Sequence, residues 1–77
     1  MRFSAEELNT VLQYVDTHAE DGVLLLGSNA AVARETGLRA GRVAALLYFL
    51  CGEGRILQEG NRILMLDDSP YSESAEV

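Results

Sequence analysis

Apolar and polar residues follow each other along this chain at spacings that change from helical to extended. Ser4 and Glu7 form a Ser-x-x-Glu capping box, which satisfies N–H groups left free at a helix start. After this cap, four apolar residues recur three or four positions apart and so share one face of a helix. They are Leu8, Val11, Leu12 and Val15. The pattern predicts a first helix that ends at about Ala19, followed by a short buried strand over 23–26.

Two further helices are predicted in the middle of the chain. Ser28 is a suitable cap for a helix over 29–36, and Gly37 ends it because glycine readily adopts the left-handed conformation found after helix C-termini. A third helix begins after Leu38 and ends near Gly52. Its inward face is formed by Val43, Leu46, Leu47 and Leu50.

The C-terminal third of the chain predicts a hairpin and then a tail. Strands over 55–58 and 62–66 surround a short loop that contains Gly60. The last segment, 67–77, is acidic and has no apolar periodicity, so we expect it to be disordered. The chain is therefore divided into one domain, 1–66, and an acidic tail.

Small and apolar residues in the centre of the chain resemble the pattern of winged helix-turn-helix regulators. The resemblance is carried by Val32, Ala33, Gly37, Leu38, Val43 and Leu46 in the helix pair, and by Gly54, Arg55, Ile56, Leu57, Gly60, Asn61 and Arg62 in the hairpin. In that family a small residue allows the two helices to cross closely, and a glycine makes the turn. The resemblance covers 4–66 and implies an α+β, mostly α fold with three helices, a short strand and a hairpin wing.

Charge is distributed unevenly along the 77 residues. The formal net charge is −6, with −4 over 1–27, +2 over 28–66 and −4 over 67–77. A negative chain is a poor partner for DNA, because binding depends on cations that displace counterions from phosphate. The central cluster of arginines weakens that objection.

The first functional hypothesis, implied by the resemblance, is a dimeric transcriptional regulator that binds double-stranded DNA. Its third helix would enter the major groove, and its wing would touch the neighbouring backbone. The candidate DNA contacts are Arg34, Arg39, Arg42, Asn61 and Arg62. Taken singly, each of these arginines is better explained as a solvated surface residue, in some cases paired with Glu35, Glu53 or Glu59, so the hypothesis depends on their grouping.

The outward face of the third helix departs from the family pattern. Arg39 stands where such proteins usually begin this helix with serine, aspartate or proline, and Gly41 inside the first turn costs about 0.5–1 kcal/mol relative to alanine. The rest of the face offers few groups for reading bases. A second hypothesis is therefore a protein-interaction module, either an adaptor, a subunit or a small inhibitor, that meets a second copy or another protein through Ala45, Tyr48 and Phe49. Phe49 is equally well explained as packing under the wing or against the first helix.

Other chemistry finds little support in the sequence. His18 is the only histidine, so we expect a surface residue and no metal site. Cys51 is the only cysteine and lies in an apolar run, which is typical of a buried, unreactive thiol. No nucleophile lies in a catalytic motif, so we expect no enzyme and no cofactor. The longest apolar run is too short to span a bilayer, and we expect a cytoplasmic protein that does not associate with membranes.

Overall fold

The computed structural model describes residues 3–72, which form a small α+β fold of three helices and a three-stranded antiparallel sheet. About half of these residues are helical. In chain order the elements are α1 (Ala5–His18), β1 (Val23–Leu25), α2 (Asn29–Thr36), α3 (Ala40–Gly52), β2 (Ile56–Glu59) and β3 (Arg62–Met65). The predicted elements are present, with ends that differ by one or two residues.

The predicted capping box at the start of α1 is confirmed. The Ser4 hydroxyl accepts a hydrogen bond from the Glu7 backbone N–H at 3.1 Å, and the Glu7 carboxylate accepts one from the Ser4 backbone N–H at 3.1 Å. Both N–H groups would otherwise lack an intrahelical partner. The cap fixes where α1 begins and so directs its apolar face, Leu8, Val11, Leu12 and Val15, into the core.

The turn between α2 and α3 follows from local chemistry. Ser28 caps α2 by accepting a hydrogen bond from the Ala31 backbone N–H at 3.1 Å. Gly37 ends α2 with a φ of 80°, in the left-handed region that favours glycine. Arg39 occupies the N-cap position of α3 and makes no capping hydrogen bond with its side chain. The predicted departure at this helix start is thus present, and α3 still begins at Ala40.

The sheet has the order β1-β3-β2, and both pairs are antiparallel. The hairpin of β2 and β3 places Leu57 opposite Leu64 and Glu59 opposite Arg62. On the other side of β3, Val23 lies opposite Leu64. The first strand therefore joins the β2–β3 hairpin from a distant position in the chain, and it forms one edge of the sheet.

The core lies where the three helices meet the inner face of the sheet. The inward residues of α3 that the sequence predicted, Val43, Leu46, Leu47 and Leu50, are all buried. They pack with the apolar face of α1, with Val32 of α2 and with Leu24, Ile56 and Ile63 of the sheet. The described residues contain no buried charged side chain.

The first part of the acidic tail packs on the domain, although the sequence predicted disorder from Asp67 onward. The side-chain amide of Asn9 accepts a hydrogen bond from the Tyr71 backbone N–H at 2.7 Å and donates one to its carbonyl oxygen at 3.0 Å. The Arg55 guanidinium lies 4.2 Å from the centre of the Tyr71 ring and 3.9 Å from Asp67 Oδ2. We call residues 67–72 the strap. Residues 73–77 lie outside the described residues.

Two glycines at the α2–α3 turn are expected to respond in opposite directions to alanine. Gly37→Ala forces a side chain into the left-handed region and is expected to lower the free energy of unfolding by about 1–2 kcal/mol. Gly41→Ala places a better helix former in the first turn of α3, and the added Cβ meets no atom of another element within 4 Å. This change is expected to raise the free energy of unfolding by about 0.5–1 kcal/mol. Urea unfolding followed by circular dichroism measures both. Equal effects of the two changes would contradict this description of the turn.

The strap is tested by hydrogen exchange at one amide. Because the Tyr71 N–H donates to Asn9, we expect it to exchange slowly in the wild-type chain and to lose most of its protection in Asn9→Ala. Amide exchange followed by NMR measures this directly, and the Val11 amide in α1 provides the internal control. A Tyr71 amide that exchanges at the same rate in both proteins would show that the strap does not form.

Candidate functional site

The outward face of α3 is the largest departure from an ordinary helical surface. Tyr48 lies at its centre and is 84% exposed. Around it, Ala44 is exposed and Ala45 is half-buried. The helix contains no acidic residue, and its one cation is Arg42. A solvent-facing helix normally carries charged residues here, so this face has the composition of a contact surface.

Phe49 is half-buried and packs against the core beside the start of α1. Its ring centre lies 5.1 Å from that of Phe3, which immediately precedes the cap of α1. The two rings line a hollow of about 490 Å³, and Tyr48 is also part of its lining. Its lining residues are Phe3, Ala45, Tyr48, Phe49, Gly52 and Glu53. The three residues predicted as a protein interface, Ala45, Tyr48 and Phe49, therefore line one apolar hollow.

Arg42, a predicted DNA contact, is held by a carboxylate of the protein itself. Its Nε and Nη2 atoms donate to the two oxygens of Glu7 at 2.7 and 2.9 Å. The guanidinium also lies 4.7 Å from the centre of the Phe3 ring. The hydrogen bond from Arg42 lowers the pKa of Glu7 to about 2, against the opposing effect of desolvation and with help from the Ser4 backbone N–H. This pair joins α1 to α3, and its charges largely cancel.

The remaining predicted DNA contacts are exposed, but they are spread over several elements. Arg34 lies in the last turn of α2 and Arg39 precedes α3, so these two flank the turn between the helices. Within 3–72, no carboxylate lies within ion-pair distance of Arg34, Arg39 or Arg62. Asn61 is at the tip of the hairpin, where its carbonyl oxygen accepts a hydrogen bond from the Leu26 N–H at 2.6 Å.

Arg62 projects away from α3. Its neighbour Ile63 is buried on the inner face of the sheet, and successive side chains of a strand point to opposite faces. Arg62 also borders a hollow with His18 and Glu20, at the end of α1 and beside β1. The structure thus does not bring Arg62 together with Arg39 beside the third helix.

The groove between α3 and the wing is uncharged. Its lining residues are Asn29, Ala44, Leu47, Tyr48, Cys51, Gln58 and Gly60. The Oδ1 atom of Asn29 is buried there without a hydrogen-bond partner, and Cys51 is half-buried. In a protein that reads bases, this surface would carry arginine, lysine, asparagine or glutamine side chains directed outward. Of those residue types, the lining of this groove contains one asparagine, Asn29, and one glutamine, Gln58.

His18, the single histidine, contacts α2 at the surface of the domain. His18 Nε2 lies 3.2 Å from Glu35 Oε2 on α2, and the His18 ring stacks on Tyr14. No group of three or more histidine, cysteine, aspartate or glutamate side chains in residues 3–72 has the geometry to hold a metal ion. The His18–Glu35 contact lies on the surface between α1 and α2.

No protein-family model, curated protein or solved structure matches the chain. No family is therefore shown, and any function proposed for the chain depends on its own residues. Among the helices described, none has both the length and the apolar character needed to cross a membrane.

The Glu7–Arg42 pair makes stability depend on pH in a defined direction. Because the pKa of Glu7 is lowered from 4.5 to about 2 by folding, its contribution is complete above about pH 4.5 and is lost as the pH falls toward 2. For this partly exposed pair, we expect Glu7→Gln to lower the free energy of unfolding by about 1–2 kcal/mol at pH 7.

Urea unfolding at pH 7 and pH 2.5 measures this effect. The difference between wild type and Glu7→Gln should shrink at the lower pH, whereas Asp16→Asn, at an exposed carboxylate of the same helix, should have little effect at either. A Glu7→Gln effect that is the same at both pH values would contradict the assignment.

Proposed function

We propose that this chain is a protein-interaction module with a winged-helix-like layout, which pairs with a second copy of itself through the outward face of α3. The observation that carries the proposal is the position of Tyr48, 84% exposed at the centre of a helix face without acidic residues. Aromatic residues surrounded by small apolar ones are typical of the energetically dominant centres of protein interfaces.

The shape of the face favours a self-complementary contact. Tyr48 projects from α3, and the hollow lined by Phe3 and Phe49 lies directly beside it. A two-fold axis near Tyr48 would bring each tyrosine to the hollow of the other copy, because such an axis makes every contact twice. The small side chains of Ala45 and Gly52 leave room for two helices to approach closely.

Charge favours the same face for pairing. Two copies with a net charge of −6 each repel one another over most of their surface. The outward face of α3 has no acidic residue before Glu53, and the Arg42 charge is compensated by Glu7. Contact through α3 therefore avoids most of the acidic surface, with Glu53 in the lining of the hollow as the exception.

A DNA-binding regulator is the second candidate. It is favoured by the resemblance to winged helix-turn-helix proteins and by the exposed arginines at the α2–α3 turn, Arg34 and Arg39. Against it stand the engagement of Arg42 with Glu7 and the uncharged groove between α3 and the wing. If DNA is bound, Arg39 is the residue best placed to meet phosphate at the start of α3.

Sedimentation equilibrium of the full chain tests the proposed pairing. We expect a concentration-dependent monomer–dimer equilibrium, and we expect Tyr48→Ala to weaken it at least about 30-fold, as for a residue at the centre of an interface. Leu25→Ser removes another exposed apolar side chain, on the sheet, and is expected to leave the equilibrium unchanged.

Titration of a labelled DNA duplex at low and high salt separates the two candidates. We expect no binding that depends on Arg39. The opposite result is a monomeric chain whose affinity for the duplex falls steeply with salt on a log–log plot. If that binding is lost in Arg39→Glu and kept in Tyr48→Ala, the interaction module is overturned and the second candidate is established.

A further inference from the structure

The sheet has an outer face, opposite to the face on which the three described helices pack. Leu24, Ile56 and Ile63 are buried on the inner side, and their neighbours along each strand therefore point outward. The outward apolar residues form what we call the outer sheet face, which consists of Val23, Leu25, Leu57, Leu64 and Leu66. Leu57 and Val23 flank Leu64 in one cross-strand row.

This composition is unusual for a sheet with one solvated side. Such sheets normally alternate apolar residues inward with polar residues outward. Here Leu25 is 69% exposed, Leu57 46% and Leu66 57%. Four large hydrophobic side chains are exposed in the described part of the chain. Three of them are these leucines, and the fourth is Tyr48 on α3. Exposed apolar residues collected on one face indicate a binding surface.

The surroundings of the outer sheet face are acidic. The carboxylates that adjoin its strands in the chain are Glu20, Asp21, Glu59, Asp67 and Asp68. Arg62 is the cation on the face itself, and Glu59 lies directly opposite it across the β2–β3 pair. Arg55 lies 3.9 Å from Asp67 and against the Tyr71 ring of the strap, so the charges of Arg55 and Asp67 offset each other, and Glu20, Asp21 and Asp68 account for the negative excess. A ligand of this face therefore meets an apolar centre and a mainly negative border.

We propose that the outer sheet face binds a basic amphipathic helix of a partner protein. Three strands span two inter-strand spacings, about 10 Å, which matches the width of one α-helix. Apolar side chains of that helix cover the leucines, and its lysines or arginines reach the acidic border. A second copy of this chain is a poor occupant, because it would place acidic borders against each other.

This surface is separate from the one proposed for pairing. Tyr48 and its hollow belong to α3, on the helical side of the sheet. Leu57 is on the opposite face of the sheet, and Leu25 is at the β1 edge of that face, where it lines a hollow with Tyr14 and His18 of α1. A paired chain would therefore keep both copies of its outer sheet face accessible. The proposal goes beyond self-association, since it gives the module a second kind of partner.

The probe is a fluorescein-labelled amphipathic helical peptide made of leucine and lysine. Its length of about 18 residues gives five helical turns. The control peptide has glutamate at every lysine position. Fluorescence anisotropy is measured against the full chain, and circular dichroism checks that each variant is folded. We expect the lysine peptide to bind, with the dissociation constant rising as salt is added. The double variant Leu25→Ser/Leu57→Ser should weaken binding at least about tenfold.

Tyr48→Ser is the control, since it removes an even more exposed large side chain from the other surface, and it should leave peptide affinity unchanged. Equal binding of the lysine and glutamate peptides, or an unchanged affinity in the double leucine variant, would overturn the proposal. So would a change in the oligomeric state of the double variant, measured by sedimentation, because the occupant would then be a second copy.

Discussion

Burial of the inward face of α3 is the constraint that organises this small domain. Val43, Leu46 and Leu50 are withdrawn from solvent between α1, α2 and the sheet. Residues 3–72 have one modest core, and this is where the helix buries its apolar residues. The orientation of α3 is therefore fixed, and with it the residues that remain outside. Tyr48 is exposed because the residues on the opposite side of α3, Val43, Leu46 and Leu50, are the ones that fill the core.

Local chemistry made much of the fold predictable. The capping box at Ser4, the left-handed Gly37 and the apolar spacing of α3 are each decided by residues within a few positions of one another. The pairing of β1 with β3 was not predictable in the same way, because a strand of three residues carries little periodicity and its partner lies far along the chain. The Glu7–Arg42 pair and the Asn9–Tyr71 pair join residues 35 and 62 positions apart.

The candidate sites also differ in whether they depend on residues close together in the chain or on residues far apart. Grouping of the arginines in the sequence predicted a DNA contact surface, whereas three-dimensional neighbours decide which of their charges are available. Glu7 was visible in the sequence only as a capping residue, yet its carboxylate also engages Arg42. Ala45, Tyr48 and Phe49 were predicted together as an interface, and they line one hollow because helical spacing alone brings them to one side of α3.

The pairing of two chains through α3 is tested most directly by isotope-filtered NMR on a mixture of labelled and unlabelled protein, in which only contacts between copies are detected. We expect nuclear Overhauser effects from the Tyr48 ring of one copy to Ala45 and Phe49 of the other. Two results together would contradict the proposed module. They are the absence of any such contact between copies, and a shift of the α3 resonances when duplex DNA is added to the same sample.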